Sequence, residues 1–337
     1  MKSRFHDNLI EKYWSNVNQV IKYNMALCFL AFMVAACGGN SSSTPPVVTP
    51  PPTDDGGSGG NSGPVRLADI EFGKGATASG QINLLLDIYQ PSESCASNRP
   101  TVLFVHGGSF KTGDKYTTLF ESMAEATNKK DINFVSINYR LAGDDAVLKP
   151  EFQVIADETV AAFPNADPVI INAAVAAIED TVSALNWMQT NAQQYCLDMN
   201  RLAYWGSSAG SYTVLNVAYT LDQYNINRPS PDVVINYWGD LVREADLEFM
   251  DAPFLTLHGD ADSVVAYQAA LDLAAQADIV SVPYSFYTVQ EAGHAWSSIN
   301  IFTLQINGVS ILDKTLNFIE AHIVGGTPVY ETVSVPG

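Results

Sequence analysis

Residues 202–219 read LAYWGSSAGSYTVLNVAY. Leu202 to Trp205 form a short apolar run suited to a buried strand. Gly206-Ser207-Ser208-Ala209-Gly210 follows at once as G-x-S-x-G, and Tyr212, Val214, Leu215 and Val217 then mark an apolar helical run. A strand that becomes a helix within so few residues needs small side chains at the bend, and the turn lifts the Ser208 hydroxyl clear of the sheet. The new helix also leaves its first backbone N–H groups unpaired and aimed at the same spot. With Gly and Ser each near ~7% of ordinary chains, the bare pattern arises by chance roughly 0.1 times in a chain this long. The strand before it and the helix after it therefore carry the weight. The alternative role for Ser208 is a helix N-cap; Ser207 stands at the variable position and is not read as a nucleophile.

A second loop belongs with this turn. The strand Thr101–Val105 ends in His106-Gly107-Gly108-Ser109-Phe110, which resembles the HGG-type oxyanion loop of esterases and lipases. Glycines let the backbone turn sharply and present N–H groups to a developing alkoxide with no side chain in the way. The donors expected are the N–H groups of Gly108, Ser109 and Ala209; a merely tight turn is the alternative. A serine hydroxyl also needs a base, and the chain has five histidines. His6 lies far upstream, His106 belongs to the glycine loop, His258 ends a strand and His322 sits in a C-terminal helical segment. His294, in Glu291-Ala292-Gly293-His294-Ala295-Trp296, remains. An acid to orient it should fall between nucleophile and base. Asp260 and Asp262, in His258-Gly259-Asp260-Ala261-Asp262-Ser263-Val264-Val265, both fit, and Asp240 in Trp238-Gly239-Asp240 is more remote.

The chain order serine, acid, histidine is that of the α/β-hydrolases, and the chain resembles an α/β-hydrolase carboxylesterase over residues 65–325. It is most similar to bacterial esterases with an HGG-x-[FW] loop, among them acetyl-xylan and feruloyl esterase relatives. Leu86-Asp87-Ile88-Tyr89 with Pro91, the segment GSFKTGDK at 108–115, and Asn138-Tyr139-Arg140-Leu141 support the resemblance. Ser207 departs from the acidic residue that related families carry before the nucleophile, which leaves the subfamily open. The resemblance favours Asp262, since family members resemble H-G-x-x-D followed by a hydrophobic pair, here Val264 and Val265, and it makes Asp260 a turn residue. It implies a serine esterase with Ser208, Asp262 and His294 as its triad and with no metal or organic cofactor. The substrate implied is a small-molecule or carbohydrate-linked ester. Phe110, Trp205, Tyr212 and Trp296 either line its pocket or pack the core. A serine peptidase of the same fold is the alternative, although related prolyl peptidases carry a large extra domain; a binding module on the same scaffold would be expected to lack a triad member.

The rest of the chain suits that fold, an α/β architecture with a mostly parallel central sheet and helices on both faces. Ile82, Leu84, Leu86 and Ile88 alternate as in an early antiparallel strand. Nearly continuous apolar runs follow at Thr101–Val105, Ile132–Ile137, Leu202–Trp205, Val233–Tyr237, Phe254–Leu257 and Tyr284–Val289, as parallel strands buried on both faces require. Val175, Ile178, Val182, Leu185 and Met188 recur as a helical stripe. Residues 142–172, with Pro150, Pro164 and Pro168, read as an insertion: either a cap over the pocket or a packed surface excursion. If the strands starting near Thr101 and Leu202 are sheet neighbours, as the resemblance implies, Cys95 and Cys196 approach each other and pair as a disulfide.

The N-terminus reads as an address and a tether. Met25–Ala36 is apolar, follows Lys22, and is too short to span a bilayer. Val34-Ala35-Ala36-Cys37 resembles the bacterial lipoprotein box, so residues 1–36 are expected to be a signal peptide and Cys37 the lipidated first residue. Gly38 after it matches an outer-membrane address in enteric bacteria. The Gly-, Ser- and Pro-rich residues 38–64 are a linker, with a reach of roughly 30 Å for a flexible coil, leaving 65–337 as the catalytic domain. The chain is expected to be exported and to touch a membrane through its lipid. Lys and Arg number 17 against 36 Asp and Glu, a formal charge of −19, which disfavours nucleic-acid binding. Removing residues 1–36 takes four basic and two acidic groups and leaves −21.

Overall fold

Side chains along the central strands alternate between two cores. In β3 (Arg99–Val105), Leu103 and Val105 face one apolar cluster while Val102 and Phe104 face the other. Tyr204 and Trp205 divide in the same way in β5 (Leu197–Ser207). Strands buried on both faces need helices on both sides, and the computed structural model, which describes residues 64–337, has them. The expected signal at 1–36, Cys37 and linker residues 38–63 lie outside the described residues.

Nine strands form one sheet in the order β1-β2-β4-β3-β5-β6-β7-β8-β11. Besides the two above, these are β1 (Val65–Thr77), β2 (Gly80–Gln90), β4 (Asn133–Ile137), β6 (Val233–Tyr237), β7 (Phe254–Gly259), β8 (Tyr284–Gln290) and β11 (Thr332–Pro336). A short hairpin, β9 (Gln305–Ile306) and β10 (Val309–Ser310), stands apart. Within the nine-stranded sheet only the β1–β2 and β2–β4 pairs are antiparallel, which agrees with the alternating pattern of β2. On one face lie α1 (Thr118–Asn128) and α6 (Ile311–Ile323); on the other lie α2 (Pro150–Ala162), α3 (Pro168–Thr190), α4 (Ala209–Tyr219) and α5 (Tyr267–Val280).

Two expectations need correction. The helix read from Val175 begins at Pro168, where proline needs no N–H bond and the Asp167 carboxylate accepts from Val169 N–H, so it takes the end of the expected insertion. The remainder of that insertion contains α2, whose Phe152, Ile155 and Ala156 are buried in the same core as α3. The strand Tyr284–Val289 is not the last, because β11 adds in parallel outside β8; Pro336, which lacks an N–H, sits on this edge strand. The 23 residues of α3 are long and apolar enough to cross a membrane, yet 78% of its most apolar window is buried within the fold.

Strands β3 and β5 are neighbours, with Arg99 paired to Leu197, and the structure joins Cys95 to Cys196 just ahead of them, their Cα atoms 5.7 Å apart. The bond closes the amino ends of the two strands. Their carboxyl ends face the opposite way.

Candidate active site

The chain leaves β3 for β4 on one side and leaves β5 for β6 on the other, so the loops after β3 and β5 diverge around a crevice at the carboxyl ends of the strands. Ser208 stands at that point with φ 53° and ψ −120°, a strained backbone for a residue with a Cβ. The turn is held from behind. Ser208 N–H donates to Tyr237 O at 2.9 Å, while the Ser211 hydroxyl donates to the same carbonyl and accepts from Tyr237 N–H, tying α4 to β6. Gly210 has no substitute here, because a Cβ would lie 1.9 Å from Val105 O at the end of β3.

Although Ser208 occupies the N-cap position of α4, its side chain makes no capping bond. Its Oγ lies 2.8 Å from His294 Nε2, and His294 Nδ1 lies 2.6 Å from Asp262 Oδ2. A carboxylate only accepts, so Nδ1 carries the proton and Nε2 is free to accept from the serine hydroxyl. Asp262 Oδ1 accepts from Val264 N–H at 2.8 Å and Val265 N–H at 3.0 Å. Burial alone would raise the Asp262 carboxyl, but bonds from His258 and His294, with the Val264 N–H, hold it well below the usual carboxylate range.

Gly108, Ser109 and Phe110 all have positive φ, at 123°, 58° and 60°. A Cβ at Gly108 would fall 1.9 Å from Thr112 O, so that glycine is obligatory. The left-handed backbone of Ser109 is one that glycine adopts without strain. Lys111 and Thr112 N–H groups close the loop onto Gly108 O, and none of the hydrogen bonds among the described residues uses the N–H of Gly108 or Ser109. Ala209 is the first residue of α4, one of the positions whose N–H a helix leaves unpaired.

The three motifs that support the resemblance meet behind this loop. Buried Asp87 accepts from Arg66 and pairs with Lys115 at 3.1 Å; Lys115 N–H donates to Asn138 Oδ1, and the Ser136 hydroxyl donates to Lys115 O. Tyr139 donates its hydroxyl to His106 O and stacks on the His106 ring at 4.4 Å. Burial lowers the His106 pKa. Buried Arg140 forks onto Asp180 and binds Ala76 O and Val147 O, fixing the start of the 142–172 segment, and Ala142 N–H donates to Phe110 O.

Asp260 is a turn residue, as expected: its Oδ1 accepts from Glu291 N–H. Asp240 makes no contact with His294; burial, aided by Glu244 and Asp272, pushes its carboxyl up to about 8. Of the four aromatic candidates, Trp205 is fully buried in the core. Phe110 packs edge-on against half-buried Tyr212, with ring centres 5.5 Å apart. Trp238, one residue past β6, is likewise buried in the core, its ring 4.8 Å from Trp296 and 6.3 Å from His294. Among the described residues no group of three or more His, Cys, Asp or Glu side chains could hold a metal ion.

Residues 86–153 and 168–236 match the family model BD-FAE. Carboxylesterase 3 of Pongo abelii is 33% identical over 132 residues, 39% of this chain and 20% of that protein. Secreted lipase 1 of Botryotinia fuckeliana is 28% identical over 144 residues, 41% and 22% respectively. The chain thus spans a quarter or less of the length of these two relatives. Among solved structures, a truncated carbohydrate esterase from gut microbiota superposes with a TM-score of 0.57 at 16% identity, covering 78% of this chain and 98% of that one. Esterase 2 of Thermogutta terrifontis gives 0.55 at 17% identity, over 76% and 92%.

Proposed function

We propose that this chain, an α/β-hydrolase of the esterase and lipase type, is a serine carboxylic-ester hydrolase. The observation that carries the reading is the relay of 2.8 Å from Ser208 Oγ to His294 Nε2 and 2.6 Å from His294 Nδ1 to Asp262 Oδ2. Ser208 attacks the ester carbonyl while its proton passes to His294 Nε2; Asp262 holds the tautomer and stabilises the imidazolium. The N–H groups of Gly108, Ser109 and Ala209 receive the oxyanion. When the tetrahedral intermediate collapses, the C–O bond to the alcohol breaks and His294 returns the proton to that oxygen, leaving an acyl group on Ser208. Water, deprotonated by the same histidine, then releases the acid.

The matched BD-FAE region and the carbohydrate esterase of the same fold favour a small-molecule or carbohydrate-linked ester as substrate. Two relatives named as secreted lipases support export, and the sequence around Cys37 supports a lipid anchor, with an outer-membrane address. The bond from Ala142 N–H to Phe110 O on the oxyanion loop supports a cap role for the 142–172 segment.

Hydrolysis of p-nitrophenyl acyl esters by the full chain and by Ser208→Ala tests the assignment. The variant is expected to lose at least about 10⁴-fold in kcat; equal activity would sink it.

A further inference from the structure

Asp262 touches a second imidazole that the relay does not use. His258, at the end of β7 and fully buried, places Nε2 3.3 Å from Asp262 Oδ2 and 3.0 Å from Val265 O. Both neighbours only accept, so Nε2 carries the proton, which bonds Val265 O and faces the Asp262 carboxylate. Nδ1 is buried with no partner among the described residues. An apolar side chain would fill this space without stranding a polar nitrogen, so a histidine here is explained by what its single N–H does.

We infer that His258 is a positioning residue, whose N–H holds the Asp262 oxygen that accepts from His294 and tempers its pull on the His294 proton. The inference rests on reading Asp262 and His294 as acid and base. Oδ2 receives the His294 Nδ1 bond at 2.6 Å and lies 3.3 Å from His258 Nε2, while Oδ1 is occupied by Val264 and Val265 N–H. The titratable groups facing Asp262 are these two histidines. Tyr267, from α5, lies 5.9 Å from the His258 ring and bonds its hydroxyl to Thr288 on β8. Without the His258 donor, Oδ2 attracts the His294 proton more strongly. The base is then protonated at a higher pH, and the carboxylate is freer to rotate.

The test is kcat/KM against pH on p-nitrophenyl acetate for the full chain, His258→Phe and His258→Gln. In the Phe variant the acid limb is expected to move up by about half to one pH unit, the equivalent of one modest hydrogen bond. Its kcat is expected to fall about tenfold with KM within about twofold. Gln keeps an N–H at similar reach and should return the limb to its original place. A Phe variant whose limb does not move, or a Gln variant displaced as far as Phe, would overturn the inference. The midpoint is independent of how much enzyme is folded, so misfolding cannot imitate it. If Phe prevents folding altogether, His258→Asn, whose amide falls short of Oδ2, serves as the donorless variant under the same two outcomes. Ser208→Ala, run alongside, tests the triad reading separately, since its retained activity would remove that reading whatever the histidine variants do.

Discussion

Strands β6 and β7 lie side by side, and each passes at its carboxyl end into a turn that carries an aspartate. After β6 comes Trp238-Gly239-Asp240; after β7 come Asp260 and Asp262. The two turns differ in the donors they supply. Asp262 collects two backbone N–H bonds and two imidazoles, and its carboxyl lies below the usual range even though it is buried. Asp240 Oδ1 is buried without a hydrogen-bond partner among the described residues, and its carboxyl is pushed up to about 8. Burial acts on both in the same sense. Donors decide which of them is an anion at neutral pH, and only an anion can hold an imidazolium.

The hardest strain on this comparison is Asp262→Asn. An amide presents both a donor and an acceptor to His294 and permits the wrong tautomer, so kcat is expected to fall by about 10⁴-fold at neutral pH. Melting curves of the variant would separate this from unfolding. A loss of less than about tenfold would mean that another group orients His294.

Stability against pH should show the two carboxylates acting in opposite senses. Asp262 has a lowered folded pKa, so its contribution is present above the unfolded value and is lost as pH falls through the folded one. Asp240, raised from 3.8 to about 8, contributes stability that is complete below pH 3.8 and is lost as pH rises through about 8. Glu244, pushed to about 7, acts in the same sense. Melting temperatures of Asp240→Asn and the parent should therefore separate between pH 4 and 8, with the variant gaining about 2–4 °C at the top of that window, allowing for partial solvent access. Parallel curves would mean that Asp240 is ionised throughout.

Much of this arrangement was legible in the chain. Apolar runs marked the inner strands because a strand buried on both faces has little room for polar residues, and Gly206 to Gly210 marked the elbow because a Cβ at Gly210 would meet the end of β3. His294 followed from elimination among five histidines. Chain order alone could not choose among Asp240, Asp260 and Asp262, and only the resemblance to H-G-x-x-D favoured Asp262, since the physical choice depends on donors that gather only when β7, the 264–265 backbone and the His294 loop come together. For the same reason His258 passed as the end of a strand: what distinguishes it is a contact with Asp262. Strand β11 escaped because an exposed edge strand has only one neighbour, and its burial leaves little apolar signature.

The smallest effect is the most discriminating for the β6 turn. A carboxyl at about 8 is protonated at pH 6, and a neutral carboxyl differs from an amide by little in size and not at all in charge. Asp240→Asn is therefore expected to keep kcat/KM within about twofold of the parent at pH 6, since both side chains are uncharged there. Above pH 8 the profiles should part, because the parent gains a negative charge near Tyr212, one helical turn past Ser208, while the variant does not. That charge opposes the oxyanion, so the parent should slow relative to the variant. A variant slower than the parent at pH 6 by tenfold or more would make Asp240 a participant in the reaction, and the contrast between the two turns would then be one of division of labour between two working carboxyls.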